Sequence, residues 1–213
     1  MSSITSRLEI LRSKGPLEVA ALVARKFIYR KTTMGRYGVR AGDSQAPPRP
    51  HDLQIELWGP DRFAEVLPTN PHLHAEDVEH FRRQETVCIV ALDGSRIASS
   101  TWMTKGDVFV HELERKIHVP GDEHFSCRSY VDPDYRGRSL LSHMIHAYAV
   151  SVSADDELWG LVYDWNVASA RSLENLGWRL SGEYWTRVVL TRRFPGERRF
   201  PARGRTVDAR PGR

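Results

Sequence analysis

The chain has 213 residues, 40% of them apolar, and a formal charge of +4. That composition supports one buried core, carried by a single domain with extensions. No apolar run approaches the ~20 residues that span a bilayer, because the longest, Leu17 to Ile28, is interrupted by Glu18, Arg25 and Lys26. No uncharged apolar stretch followed by a small-residue cleavage site marks a signal peptide.

The charge is unevenly spread. Residues 1–50 hold ten Lys/Arg against three Asp/Glu, residues 191–213 hold eight Arg against two acids, and the stretch between holds 13 basic and 22 acidic residues. An acidic middle argues against nucleic acid as the partner of the domain. The basic ends read as solvated, as folded back on the acidic body, or as a peripheral contact. In the last case residues 1–45 would meet a protein or the anionic inner membrane surface. Cys88 and Cys127 sit in strand-like apolar runs; this reads as buried, reduced thiols and a cytoplasmic protein. The sequence carries no signal for an oligomeric state.

In chain order, Ile4 to Leu11 and Leu17 to Ile28 read as helices parted by Gly15-Pro16. Arg40 to Pro50, with Gly42, Pro47, Pro48 and Pro50, reads as a linker. The expected division is a basic helical extension and Pro-rich linker over 1–50, a folded domain over 51–190, and a basic disordered tail over 191–213. Within the domain, Leu53, Ile55 and Leu57 alternate as a strand, and Pro60 to Val66 and Ala75 to Arg83 read as helices. Thr86 to Leu92 and Arg96 to Met103 form a hairpin about Asp93-Gly94. Then come a strand over Phe125 to Val131, a helix over Arg138 to Val152 and a strand over Leu158 to Tyr163. A helix over Ala168 to Leu176 and a strand over Trp178 to Leu190 follow. The order predicts a mixed α/β sheet with its site where strand gives way to helix.

Two stretches carry chemistry. In Val131-Asp132-Pro133-Asp134-Tyr135-Arg136-Gly137-Arg138-Ser139-Leu140-Leu141 a strand ends and a short loop leads into a helix. The first turns of a helix expose unpaired N–H groups at its positive dipole end, which suits a pyrophosphate. Gly137 admits close backbone approach, and Arg136 and Arg138 add charge. Taken alone, the same stretch could be a plain strand–helix turn with two solvated arginines. The second stretch, Asn166 to Trp178, reads as a helix stopped by Gly177.

Together these stretches resemble the two donor-binding motifs of the GNAT superfamily of N-acetyltransferases. The first resembles the V-x-P-x-Y-R-G-x-G-x-G loop and the second the N-x-x-S/A…E-x-L-G-F helix. The resemblance is strong over about 85 to 190, weaker over 51–84, and absent from both ends. It implies a mixed, mostly antiparallel sheet splayed at the donor site and flanked by helices, with an N-terminal helical extension. It also implies an acyltransferase that takes acetyl-CoA as donor and an amine as acceptor. The pantetheine arm would lie against Tyr130 and Val131, and the pyrophosphate against Arg136, Gly137, Arg138, Ser139, Leu140 and Leu141. Asn166, Ser169 and Arg171 would complete the donor site, although Asn166 also suits a plain helix cap.

This chain departs from the pattern at Ser139 and Leu141, where the family has glycines, and at Leu173, where many members place a tyrosine that protonates the thiolate. Tyr163 and Tyr184 are the candidate replacements. The glutamate base of histone-modifying members falls on Phe125. Strand alternation sets Glu123, Phe125, Cys127, Ser129 and Val131 on one face, which makes Glu123 the candidate base. Cys127 has no adjacent His on that face and reads as packing. His72, His74, Glu76 and His80, and the pair His143 and His146, match no metal-ligand spacing, so no metal is expected. An acyl-carrier protein as donor and a non-catalytic acyl-CoA-binding domain are the alternatives.

Overall fold

The computed structural model describes residues 18, 29–47, 52–189 and 192–200. The helices expected over Ile4–Leu11 and, Glu18 apart, over Leu17–Ile28 lie outside those residues, as does the tail beyond 200.

An eight-stranded sheet forms the body. Its strands are β1 (Tyr29–Arg40), β2 (Gln54–Trp58), β3 (Thr86–Asp93), β4 (Arg96–Thr104), β7 (Glu123–Val131), β8 (Glu157–Tyr163), β9 (Arg179–Val189) and β10 (Arg192–Arg199). The spatial order is β10-β9-β1-β8-β7-β4-β3-β2. Every neighbouring pair is antiparallel except β7 with β8. A separate ribbon pairs β5 (Gly106–Val110) with β6 (Arg115–Val119). The helices are α1 (Ala75–Phe81), α2 (Leu140–Ala149) and α3 (Val167–Glu174).

The two sheet faces bury different partners. On one, Met144, Ile145 and Tyr148 of α2 and Leu173 of α3 pack on Ile89, Met103, Leu158 and Val162. On the other, Phe81 of α1 stacks on Trp102 at 4.9 Å, and Phe63 of the 3-10 turn Pro60–Val66 meets that ring edge-on at 4.6 Å. The β5–β6 ribbon covers the rest of this face. There Val108, Val110, Leu113, Ile117 and Val119 bury Phe125, Trp159 and Tyr184. A buried hydrogen-bonded chain fixes the far end of α2: the Tyr148 hydroxyl is 2.8 Å from His124 Nδ1, and His124 Nε2 is 2.9 Å from Asp156.

The expected domain boundaries need correction at both ends. Tyr29–Arg40 is an internal strand rather than an extension, pairing with β8 on one edge and β9 on the other. What holds it is out of sight in the sequence. Arg36 is buried, and its guanidinium bonds Glu123 at 3.0 Å, Glu157 at 2.6 Å and Ser181 Oγ at 2.8 Å. A buried arginine is tolerable only when paired in this way. The expected linker is also tied down, since Ala41 N–H donates to Asp156 O, Gly42 N–H to Ala154 O and Gln45 N–H to Leu176 O. At the other end, Arg192–Arg199 pairs with β9 as an edge strand and belongs to the sheet, not to a tail.

Candidate active site

The site starts from one irregularity in β7. Trp102 pairs with Cys127 but Ser100 pairs with Tyr130, so Thr101 faces two residues, Arg128 and Ser129. This is a β-bulge, and Arg128 takes the left-handed conformation with φ 49°. The Ser129 hydroxyl lies 2.7 Å from that of Thr101, while the Arg128 guanidinium turns to the opposite face and bonds Asp77 of α1 at 2.9 Å.

The bulge has two consequences. First, it bends β7 away from β8: their parallel register runs from Glu123/Glu157 to Ser126/Gly160 and ends there, although both strands continue. A wedge opens between Cys127–Val131 and Leu161–Tyr163. Second, it shifts the phase of everything downstream. Asp132 N–H donates to Ala98 O, so alternation turns the backbone N–H and C=O of Val131 away from β4 and toward the wedge. The expected common face of Glu123, Phe125, Cys127, Ser129 and Val131 is therefore split. Cys127 packs with the clusters under α1 and the ribbon, whereas Val131 packs with Leu140 on the α2 side.

Past Val131 the chain enters a braced loop. Asp132 caps the 3-10 turn Pro133–Tyr135 by accepting from Asp134 N–H at 3.0 Å, and Arg96 bonds Asp132 at 2.8 Å and Asp134 at 2.9 Å. The Asp134 N–H and Arg96 hold the Asp132 carboxyl below its usual range. Tyr135 is buried and donates to Asp93 at 2.7 Å, with Arg96 and Arg138 each 5.1 Å from its ring centre. Arg96 thus bridges both acids of the loop, and Arg136 and Arg138 form no direct ion pair among the described residues, although the Arg136 charge also helps to lower Asp132.

Gly137 and Ser139 are both left-handed, with φ 79° and 56°. Ser139 therefore adopts a conformation that glycine would take freely, at a cost of strain. It occupies the N-cap of α2 but its side chain makes no cap bond. Among the described residues, the N–H groups of Gly137 to Ser142 donate to no protein acceptor; the first bond of the helix runs from His143 N–H to Ser139 O at 3.2 Å. A row of free donors at a positive helix end is an anion site. A Cβ at Gly137 would meet nothing within 4 Å, so space lies open beside those donors. A cavity of about 440 Å³ adjoins, lined by Ser139 and Ser142 of α2, Ser172 and Asn175 of α3, and Gln45 to Pro47.

The remaining candidates are distributed unequally. Leu140 is buried beneath Tyr135 and Leu141 packs against the main core, so both serve the site through their backbones. Tyr130 lies near His72, with ring centres 6.1 Å apart, and its carbonyl accepts from Ser99 Oγ. Asn166 caps α3 by accepting from Ser169 N–H at 3.2 Å, and Arg171 is exposed on that helix. Tyr163 stands at the open end of β8, half-buried and stacked on Trp165 at 5.0 Å. Tyr184 is buried below the ribbon, stacked on Trp159 at 6.0 Å, and burial raises its phenol. Glu123 lies at the paired end of β7, four residues before the wedge, with its carboxylate bonded to Arg36 and 3.7 Å from Arg199. The structure does not bring it to the opening. Leu173 is buried in the core. Burial pushes the Cys127 thiol up to about 12, and no cluster among the described residues could hold a metal.

Sequence reasoning missed the bulge at Arg128 and Ser129 and its partner Thr101. Arginine is an uncommon occupant of a left-handed position, so no residue type advertised it.

No protein-family model and no curated protein matches the sequence. Solved structures do share the fold. One is a functionally unknown conserved protein from Staphylococcus epidermidis ATCC 12228, with TM-score 0.56 and 10% identity over 81% of this chain and 66% of that one. A putative acetyltransferase of the GNAT family from Novosphingobium aromaticivorans DSM 12444 gives TM-score 0.52 and 16% identity, over 73% and 63%. A GCN5-related N-acetyltransferase from Kribbella flavida gives 0.52 and 11%, over 78% and 62%. The chain spans 62–66% of the length of these structures. The mixed, mostly antiparallel sheet with flanking helices is thus a GNAT-like fold.

Proposed function

We propose that this protein is an N-acyltransferase that moves an acetyl group from acetyl-CoA to an amine. One observation carries the reading. The wedge opened in the sheet by the β7 bulge lies directly upstream of an uncapped helix start whose N–H groups have no partner among the described residues.

In this reading the pyrophosphate lies against the N–H groups of Gly137 to Ser142, with Arg136 and Arg138 adding charge. The pantetheine arm extends the open edge of β7 and bonds the backbone of Val131 as a neighbouring strand would, displacing Arg136 Nε, which donates to the Val131 carbonyl at 3.4 Å. The amine nitrogen attacks the thioester carbonyl carbon, the C–S bond breaks, and CoA leaves as thiolate. A backbone N–H on the β7 edge stabilises the developing oxyanion. The nitrogen loses its proton to water, because the Glu123 carboxylate is held by Arg36 and points elsewhere. Among the two tyrosine candidates, Tyr163 borders the wedge and is the donor of a proton to the thiolate; Tyr184 is enclosed by the ribbon.

The test is calorimetric titration with CoA and acetyl-CoA, followed by thiol release with a panel of amines. Binding at 100 times Kd stabilises by about 2.7 kcal/mol, whereas dephosphorylated pantetheine should add far less. Absence of binding by any CoA thioester would overturn the reading. Binding without turnover on any amine would leave a donor-binding domain, and turnover only with an acylated carrier protein would change the donor.

A further inference from the structure

Beyond the donor site, the strands β1, β9 and β10 carry a second feature on the α2 side of the sheet. Here the side chains alternate. Tyr184 and Thr186 are buried under the ribbon and Val188 is buried on the same face of β9, so Trp185, Arg187 and Val189 turn the other way. The register sets Lys31 directly opposite Arg187, and Arg187 opposite Phe194; Val189 is opposite Arg192. Lys31, Arg187, Val189, Arg192, Phe194 and Arg198 are all exposed.

Like charges directly opposite across two strands destabilise a sheet. Yet no described acid forms an ion pair with Lys31, Arg187 or Arg192 in this structure. Glu183, which faces Arg198 in the register, is the only acid among the described residues of this face of β9 and β10. Phe194 at 51% exposure and Val189 at 37% stand among these cations. Such a face is short of counter-charge and holds apolar side chains in water.

We infer that the open face of β1, β9 and β10 docks on an anionic lipid surface. Lys31, Arg187 and Arg192 would meet headgroup phosphates, and Phe194 and Val189 the acyl boundary. Charge complementarity favours an anionic occupant, and the interleaved apolar side chains favour a bilayer over a polyanion in solution. The register adds continuity: Tyr29 pairs with Val189, so the basic segment of residues 1–28 joins the sheet at the same end of the face.

The experiment is sedimentation of the full chain with phosphatidylcholine vesicles, with and without phosphatidylglycerol. Binding is expected only with phosphatidylglycerol, and should weaken steeply with salt. The double variant Arg187→Gln/Arg192→Gln should weaken it about 25-fold, at about fivefold for each basic residue near an anionic surface. Phe194→Ser should weaken it again. Melting temperature and CoA affinity check that the variants are folded, since these positions lie apart from the α2 start. Vesicle binding unchanged in these folded variants would overturn the inference and point to residues 1–28 instead. Equal binding to zwitterionic vesicles, no vesicle binding at all, or binding to an oligonucleotide alone would overturn it too.

Discussion

Gly137→Ala and Ser139→Gly should shift stability in opposite directions, because both positions are left-handed. A Cβ in that region costs about 1–2 kcal/mol, and replacing Gly by Ala recovers about 0.4–1 kcal/mol by restricting the unfolded chain. Gly137→Ala should therefore lose about 1 kcal/mol, and Ser139→Gly should be neutral or gain up to about that much. For a chain of this size 1 kcal/mol is about 2–4 °C in Tm, within reach of differential scanning calorimetry and urea titration. The same pair tests the donor site. The new methyl at Gly137 meets nothing within 4 Å beyond its chain neighbours, so a fall in CoA affinity larger than the backbone strain accounts for would come from contact with the ligand. We expect at least a tenfold loss, about 1.4 kcal/mol, by calorimetric titration. A Gly137→Ala protein that is more stable than the parent would refute the loop geometry. Unchanged CoA affinity in that protein would remove the pyrophosphate from this loop.

Further outcomes follow from the same contacts. Arg36→Met should destabilise by about 3 kcal/mol in urea unfolding, the low end for a broken buried pair, since Glu123 keeps Arg199 at 3.7 Å and Glu157 is partly exposed. Glu123→Gln should lower stability while leaving the shape of the pH–rate profile unchanged; loss of its lower limb would return Glu123 to the mechanism. Asn166→Ala should cost about 1 kcal/mol by removing the α3 cap, and weaker CoA binding in the same variant would add a ligand contact to that role. The folded thiols of Cys88 and Cys127 are both raised by burial. Above about pH 8.5 the unfolded thiols ionise and the folded ones do not, so the unfolded state holds fewer protons and stability falls as pH rises. The slope should approach about 1.4 kcal/mol per pH unit for each thiol, and Cys88→Ala should reduce it.

Much of this was legible because the relevant signals are local. The β3–β4 hairpin announces itself through Asp93-Gly94 between apolar runs, and Gly94 does take φ 59°. The α2 start follows from a proline, a glycine and two arginines ahead of an amphipathic stretch. The β5–β6 ribbon carries a readable alternation in Val108, Val110, Ile117 and Val119 that turn residues obscure. What stayed hidden depends on distant partners. β1 carries Arg30, Lys31, Arg36 and Arg40 and two glycines, which locally argue against a central strand. Its burial becomes sensible only when Glu123 and Glu157 arrive from elsewhere in the chain. Nor does the phase shift at Arg128 have a local cause; it is a property of how β7 meets β4.

The interior position of β1 also bears on how the chain is made. It leaves the ribosome before any strand that pairs with it, and its nearest registered partner in time is Glu157, opposite Arg40. At about 5–20 residues per second, roughly 6–23 s pass between the two. Through that interval a dozen residues hold both rows of backbone donors and acceptors without a sheet on either side. Such a segment is a template for pairing with a neighbouring nascent chain. Its charges then have a second use: the Lys31, Arg36 and Arg40 side chains repel another copy until the glutamates that neutralise Arg36 have been synthesised.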